Sequence, residues 1–120
     1  MRGAVLPAAT VMGKAYGHPD FDPLWEEAER LDVPIGFHGA PSKGFGFDFF
    51  DTFIKAHTLE HPFSILIQFT SMMFDGVFER FPKLRVAFLE TGAGWVPYMM
   101  DRMDEEWEKR GKRWSPSLKR

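Results

Sequence analysis

Two titratable residues stand at the carboxyl ends of apolar segments of the kind that form buried strands. His38 is the last residue of the segment 33–38, and Glu90 is the last residue of the segment 84–90. Sites in parallel α/β folds lie just beyond the carboxyl ends of strands, so both side chains are candidates for one site. A neutral imidazole binds divalent metals, although a histidine here can also be a core residue bonded to backbone. A carboxylate that ends an apolar strand needs a partner, a metal or solvent, which favours a catalytic role for Glu90.

A second group of residues that could bind a metal or act as a base has the H-x-x-E-H form of inverted zinc proteases. It comprises His57, Glu60 and His61. On a continuous helix the two imidazoles would lie on one face, with the carboxylate beside them as a base. Pro62 follows immediately, and a residue before proline is pushed out of the helical region. We therefore predict a helix break at His61, which would separate the two imidazoles.

Two further residues are assigned to substrate binding. His18 lies in the loop after the first predicted strand, on the same rim as His38 and Glu90, although a surface loop histidine is the alternative. Trp95 follows the turn at residues 91–94. That turn lacks the third glycine of a dinucleotide fingerprint and the Gly-Lys-Ser/Thr of a Walker motif. It predicts a tight turn that brings backbone close to a ligand at a helix N-terminus.

The elements that must position these residues alternate between strands and helices. The pattern predicts an α/β fold with parallel strands, because a strand, a helix and a second strand at this separation form a βαβ unit. Asp22 and Pro23 mark a helix start, with Asp22 as the N-cap. The predicted strands are residues 3–7, 33–38 and 84–90, and the other predicted helices are residues 49–60, 62–80 and 95–109.

Composition excludes several classes of protein. The 120 residues are 44% hydrophobic and 27% charged, which rules out disorder, and the absence of cysteine excludes a disulfide scaffold. With a net charge of −2, the chain lacks the excess positive charge that binding to nucleic acid or an anionic membrane requires. No apolar run reaches the ~20 residues of a membrane-spanning helix. We therefore expect a cytoplasmic domain that binds neither nucleic acid nor membrane.

Four segments between residues 22 and 97 form one pattern. They are residues 22–28 (DPLWEEA), 33–38 (VPIGFH), 61–63 (HPF) and 76–97, which begins GVFERFPKLRVAFLE and continues through GAGWVP. Together they resemble the amidohydrolase-related metal-dependent hydrolases, in the branch that includes aminocarboxymuconate-semialdehyde decarboxylase-like proteins.

The resemblance implies part of a (β/α)8 barrel, roughly its fourth to sixth strands. Residues 1–120 would then form one incomplete amidohydrolase-related domain of about three β/α units, since a whole barrel needs about 250 residues. Such families hold a divalent metal, commonly zinc, with an H-x-H pair, a fifth-strand histidine and an eighth-strand aspartate. His38 matches the fifth-strand histidine, whereas this sequence contains no H-x-H. Glu90 stands where decarboxylases of this group often have a catalytic histidine.

Three hypotheses follow. The first is a fragment of a metal-dependent hydrolase or decarboxylase that acts on a small carboxylate or amide-type substrate, with His38 as a metal ligand and an incomplete ligand set. The second is a non-catalytic α/β module that forms homo-oligomers, or binds missing barrel segments, through exposed sheet edges. The third is a zinc peptidase that uses His57, Glu60 and His61.

Overall fold

The computed structural model describes residues 2–10, 12–40 and 44–111. These residues form a three-stranded parallel sheet with helices between the strands. The strands are β1 (Ala4–Pro7), β2 (Ile35–His38) and β3 (Val86–Leu89), and the α-helices are α1 (Asp22–Arg30), α2 (Phe53–Phe74), α3 (Val77–Arg80) and α4 (Trp95–Glu106). Short 3-10 turns cover Pro19–Phe21 and Phe47–Phe49, and a π-helical turn at Trp107–Gly111 follows α4. The predicted α/β fold is confirmed.

The sheet has the order β1-β2-β3, with β2 in the centre. Both pairings are parallel, and Ile35 lies opposite Ala4 on one side and Val86 on the other. At the carboxyl end His38 pairs with Leu89, so that Glu90 follows directly beyond the end of β3. The register therefore brings the two residues that the sequence singles out to one edge of the sheet.

An aromatic cluster packs α1 against β2. Trp25 is fully buried, and its indole Nε1 donates a hydrogen bond to the Tyr16 carbonyl oxygen at 3.1 Å. The ring centroids of Tyr16 and Phe37 are 4.9 Å apart. Burial raises the pKa of the Tyr16 hydroxyl. The N-cap of α1 is Phe21, one residue before the predicted Asp22, because the preceding 3-10 turn runs directly into the helix.

Helix α2 is continuous through Pro62, so the prediction of two helices separated at His61 is wrong. Proline removes one backbone donor, and packing outweighs that loss here. Beyond the proline, α2 buries one apolar stripe, formed by Ile65, Phe69 and Met72. The buried hydroxyl of Ser64 donates to the Glu60 carbonyl oxygen at 2.8 Å, within the turn that contains the proline.

The second half of the chain contains two departures from the predicted bounds. The helix expected to reach residue 80 stops at Phe74 because Gly76 takes a left-handed conformation with φ of 70°, and α3 begins after it. The last α-helix ends at Glu106 rather than at residue 109, and a π-helical turn continues it. Within the described ranges, no helix combines the length and apolar character that crossing a membrane requires.

Several large apolar side chains lie on the surface. Phe49 is 92% exposed, and Phe53 and Val5 are also mostly exposed. A 490 Å³ groove along α2 is lined mainly by apolar side chains, among them Phe63, Leu66, Ile67 and Phe74. The expectation that further barrel segments or a second copy cover such surfaces stays a prediction.

Candidate metal centre

The carboxyl end of the sheet brings His38 and Glu90 together, as the parallel topology predicts. Nε2 of His38 lies 3.3 Å from Oε2 of Glu90. Nδ1 of His38 is 2.9 Å from the Gly39 carbonyl oxygen, and a proton on Nδ1 makes this a hydrogen bond. That tautomer leaves the lone pair of Nε2 free to bind a cation on the Glu90 side.

Helix α2 adds a third member, His61, which the sequence pattern did not place at this edge. Its Nε2 lies 4.0 Å from Oε2 of Glu90, and its ring centroid lies 5.1 Å from that of His38. His38, His61 and Glu90 each offer one ligand atom, and these atoms lie within 4.8 Å of one another. Two imidazoles and a carboxylate are a donor set that zinc commonly uses. The three side chains can therefore converge on one divalent cation after small movements.

Gly39 permits the close approach of α2 to the end of β2. A Cβ atom at this position would lie 2.6 Å from both Cα and Cδ2 of His61. Such a contact is far inside van der Waals distance, and its backbone partner cannot rotate away. The absence of a side chain at Gly39 is therefore what allows the His61 ring to lie beside His38.

The Glu90 carboxylate is directed by an unusual backbone conformation. Glu90 has φ of 61°, in the left-handed region that favours glycine. This conformation costs a non-glycine residue roughly 1–2 kcal/mol. Strain of this kind occurs most often at functional sites, and here it places a carboxylate beside two imidazoles. Gly92, two residues later, also has a positive φ of 61° and completes the tight turn into α4.

Ser64 links α2 by hydrogen bonds to the backbone just after the end of β2. Its fully buried hydroxyl accepts a hydrogen bond from the Ala40 backbone N–H at 3.2 Å while it donates to Glu60. Ser71 makes an equivalent bond at the other end of the helix, where its hydroxyl accepts from the Gly17 N–H at 3.1 Å. Two hydroxyls on α2 thus bind loop backbone, and only the first lies beside the histidines.

Ser64→Ala is expected to lower both stability and cation affinity. The Ala40 N–H loses its acceptor, which costs about 1–3 kcal/mol, and His61 is no longer held against His38. The matched control, Ser71→Ala, removes the corresponding bond from Gly17 and should destabilise without changing cation affinity. Urea unfolding and Zn²⁺ titration of both variants measure the two effects. Equal cation affinity in the two variants would contradict the role given to Ser64.

The other predicted site residues lie elsewhere. His18 caps a 3-10 turn, with Nδ1 accepting from the Asp20 N–H at 3.2 Å, and it belongs to neither group of candidate ligands found among the described residues. Nε1 of Trp95 donates to the Gly92 carbonyl oxygen at 2.9 Å, and the ring packs against Phe69 at a centroid distance of 5.2 Å. The structure does not bring either side chain to His38. Their assignment to substrate binding stays a prediction.

The second motif has the geometry that the proline was expected to destroy. His57, Glu60 and His61 lie on one stretch of α2, and each offers a ligand atom within 4.8 Å of the others. His61 belongs to this group and to the group with His38. A 270 Å³ cavity adjoins both groups and is lined by His57, Thr58, His61, Pro62, Glu90 and Thr91.

Comparison with known proteins gives one family. The family model described as Amidohydrolase matches residues 1–115. The 2-amino-3-carboxymuconate-6-semialdehyde decarboxylase of Dictyostelium discoideum is 29% identical over 102 residues, which are 85% of this chain and 28% of that protein. The chain thus spans less than a third of this curated relative's length.

Solved structures show the same fold. The amidohydrolase map2389c from Mycobacterium avium subsp. paratuberculosis K-10 aligns with a TM-score of 0.72 at 24% identity, over 90% of this chain and 30% of that one. The 5-carboxyvanillate decarboxylase LigW from Sphingomonas paucimobilis aligns with a TM-score of 0.67 at 25% identity. The alignment covers 93% of this chain and 34% of that one. The chain therefore has the fold of part of these proteins.

Proposed function

Because the chain belongs to the amidohydrolase family, we propose that it contributes to a metal-dependent active site that acts on a small carboxylate substrate. The observation that carries this proposal is the convergence of His38, His61 and Glu90 at the carboxyl ends of parallel strands. We propose zinc as the cation, since imidazole nitrogen is among its usual ligands.

The two histidines are assigned as the residues that hold the cation. The bond from Nδ1 of His38 to Gly39 leaves Nε2 as the ligand atom, and Nε2 of His61 faces the same space. The His61 side chain is only 15% exposed, so its ring is held in place by packing. When bound, the cation would act as a Lewis acid that polarises a carboxylate or carbonyl oxygen of the substrate.

Glu90 is assigned as the acid–base residue. Its side chain is 68% exposed and lines the cavity together with His61, whereas His38 is not among the residues that line it. A carboxylate in this place can transfer a proton to or from a molecule in the cavity. The strained backbone keeps it directed toward the two imidazoles.

Decarboxylation is the reaction that the relatives support. Both the Dictyostelium protein and the Sphingomonas protein are named as decarboxylases. In that reaction the bond between a substrate carbon and its carboxylate breaks, CO₂ leaves, and the electron pair stays on the carbon. Protonated Glu90 would deliver the proton that this carbon takes up. The substrate would lie in the cavity between α2 and the turn after β3.

Hydrolysis is a second candidate, and the identity of residue 90 favours it. A carboxylate can accept a proton from water as the water attacks a carbonyl carbon, and Glu90 lies beside the proposed cation position. The comparisons favour neither a peptidase that uses His57, Glu60 and His61 nor a non-catalytic module, since the relatives are amidohydrolases and decarboxylases.

The chain loaded with Co²⁺ should bind an aromatic carboxylate at the metal. We expect benzoate to change the visible absorption of the Co²⁺-loaded chain, whereas benzyl alcohol, which has the same ring but no carboxylate, should leave it unchanged. His38→Ala should abolish the benzoate response, because the cation position beside Glu90 is lost.

The control for this titration is Lys55→Ala. Lys55 is exposed on α2 and pairs with Asp51 rather than with either candidate ligand group, so its variant should respond to benzoate like the wild-type chain. A benzoate response that persists in His38→Ala would contradict the assignment of the site.

A further inference from the structure

We propose that His57, Glu60 and His61 form a second site for a divalent cation, on helix α2 beside the cavity. The three ligand atoms lie within 4.8 Å of one another. The proposal goes beyond the function proposed above, with which it shares one residue, His61. The cation class follows from the donors: two imidazole nitrogens and one carboxylate oxygen suit Zn²⁺ and related transition metals.

The backbone supplies the chelating geometry. His57 and His61 are four residues apart, so a continuous helix places them on the same face, and Glu60 lies three residues from His57 on that face. Their ring centroids are 4.8 Å apart. The ring of Phe53, one turn earlier, lies 4.9 Å from that of His57 and limits its rotation. The site exists because α2 continues through Pro62.

An unpartnered nitrogen marks the position of the cation. Nδ1 of His61 is buried and has no hydrogen-bond partner among the described residues. The nearest carboxylate oxygen, Oε1 of Glu60, is 3.6 Å away, which is too far for a hydrogen bond. A buried polar atom without a partner is costly, and a cation between Nδ1 and the Glu60 carboxylate would satisfy both groups.

Burial of the carboxylate supports the same position. The Glu60 side chain is only 16% exposed, and His61 is its only ion-pair partner in the described part of the chain. A mostly buried carboxylate requires a positive charge or hydrogen-bond donors nearby. A divalent cation bound by His57 and His61 would provide that charge directly.

The two nitrogens of His61 face different groups. Nε2 faces Glu90 at 4.0 Å, and Nδ1 faces Glu60 at 3.6 Å. If both positions held a cation, each His61 nitrogen would serve as a ligand atom, and the imidazole proton would be released to solvent, as ligands do when metals replace their protons. Both positions would border the cavity that His57 and Glu90 line.

Equilibrium dialysis against Zn²⁺, followed by metal analysis, tests the second site. The wild-type chain should bind two equivalents and His57→Ala should bind one. Glu60→Gln should lower the affinity for the second equivalent by about 10-fold or more. His57 is exposed, so its replacement should leave the circular dichroism spectrum unchanged. The control His18→Ala should retain both equivalents.

The two sites can fail separately. The second site is overturned if His57→Ala binds as many equivalents as the wild-type chain, or if the wild-type chain binds one equivalent that depends on His38 alone. The site proposed above fails, and the second site stands, if His57→Ala removes all bound Zn²⁺ while His38→Ala removes none. Co²⁺ absorption of the same variants gives an independent readout, because each site should contribute its own band.

Discussion

His61→Ala is expected to lower the affinity of the chain for Zn²⁺ by more than about 100-fold, a larger loss than replacement of either other candidate histidine ligand should cause. Nε2 of His61 faces the group with His38 and Glu90, and Nδ1 faces the group with His57 and Glu60. Removing the ring therefore takes one ligand from each position. Isothermal titration with Zn²⁺ measures the change.

The matched comparison for this titration uses the other histidines. His38→Ala and His57→Ala should each retain one class of sites, and His18→Ala should titrate like the wild-type chain. Binding by His61→Ala with wild-type affinity and stoichiometry would show that the shared residue holds no cation. Urea unfolding of His61→Ala without metal shows whether loss of the ring has disturbed the fold.

Trp25→Ala is expected to lower the free energy of unfolding by about 3–5 kcal/mol, the largest effect on stability. Trp25 is fully buried between α1 and β2, and its ring contacts those of Tyr16 and Phe37 at centroid distances of 5.8 and 6.1 Å. The substitution leaves a cavity and also leaves the Tyr16 carbonyl oxygen without its indole donor. Urea unfolding followed by circular dichroism measures the loss.

Leu24→Ala is the matched control for Trp25→Ala. Leu24 is the neighbouring residue on α1 and is 38% exposed, so its truncation removes less buried surface and no hydrogen bond. We expect a loss of about 1 kcal/mol or less. Similar losses in the two variants would contradict the placement of the core between α1 and β2.

The position of His38 and Glu90 could be predicted from sequence because it depends on topology alone. Apolar segments separated by a helix predict parallel strands, and parallel strands bring their carboxyl ends to one edge. The structure places Nε2 of His38 3.3 Å from Glu90. The left-handed φ of Glu90 could not be predicted, since glutamate has no preference for that region and the strain is sustained by the surrounding structure.

The position of His61 could not be predicted from the local rule for residues before proline. Such a residue is usually not helical, and this preference predicts a boundary at His61. The buried stripe of α2 and the Ser64 bonds to Glu60 and Ala40 hold the helix continuous instead. The long apolar run after Pro62 is a signal in the sequence that the helix can cross the proline. Gly39 is a second signal, since a glycine directly after a strand permits close approach of another element.

The crystal structure of the chain grown with Zn²⁺, with data collected at the zinc absorption edge, tests the central claim most directly. An anomalous difference peak is expected within about 2.0–2.2 Å of Nε2 of His38 and Nε2 of His61, with the Glu90 carboxylate beside it. A fully occupied zinc peak elsewhere, with none at these two nitrogens, would contradict the proposed metal site.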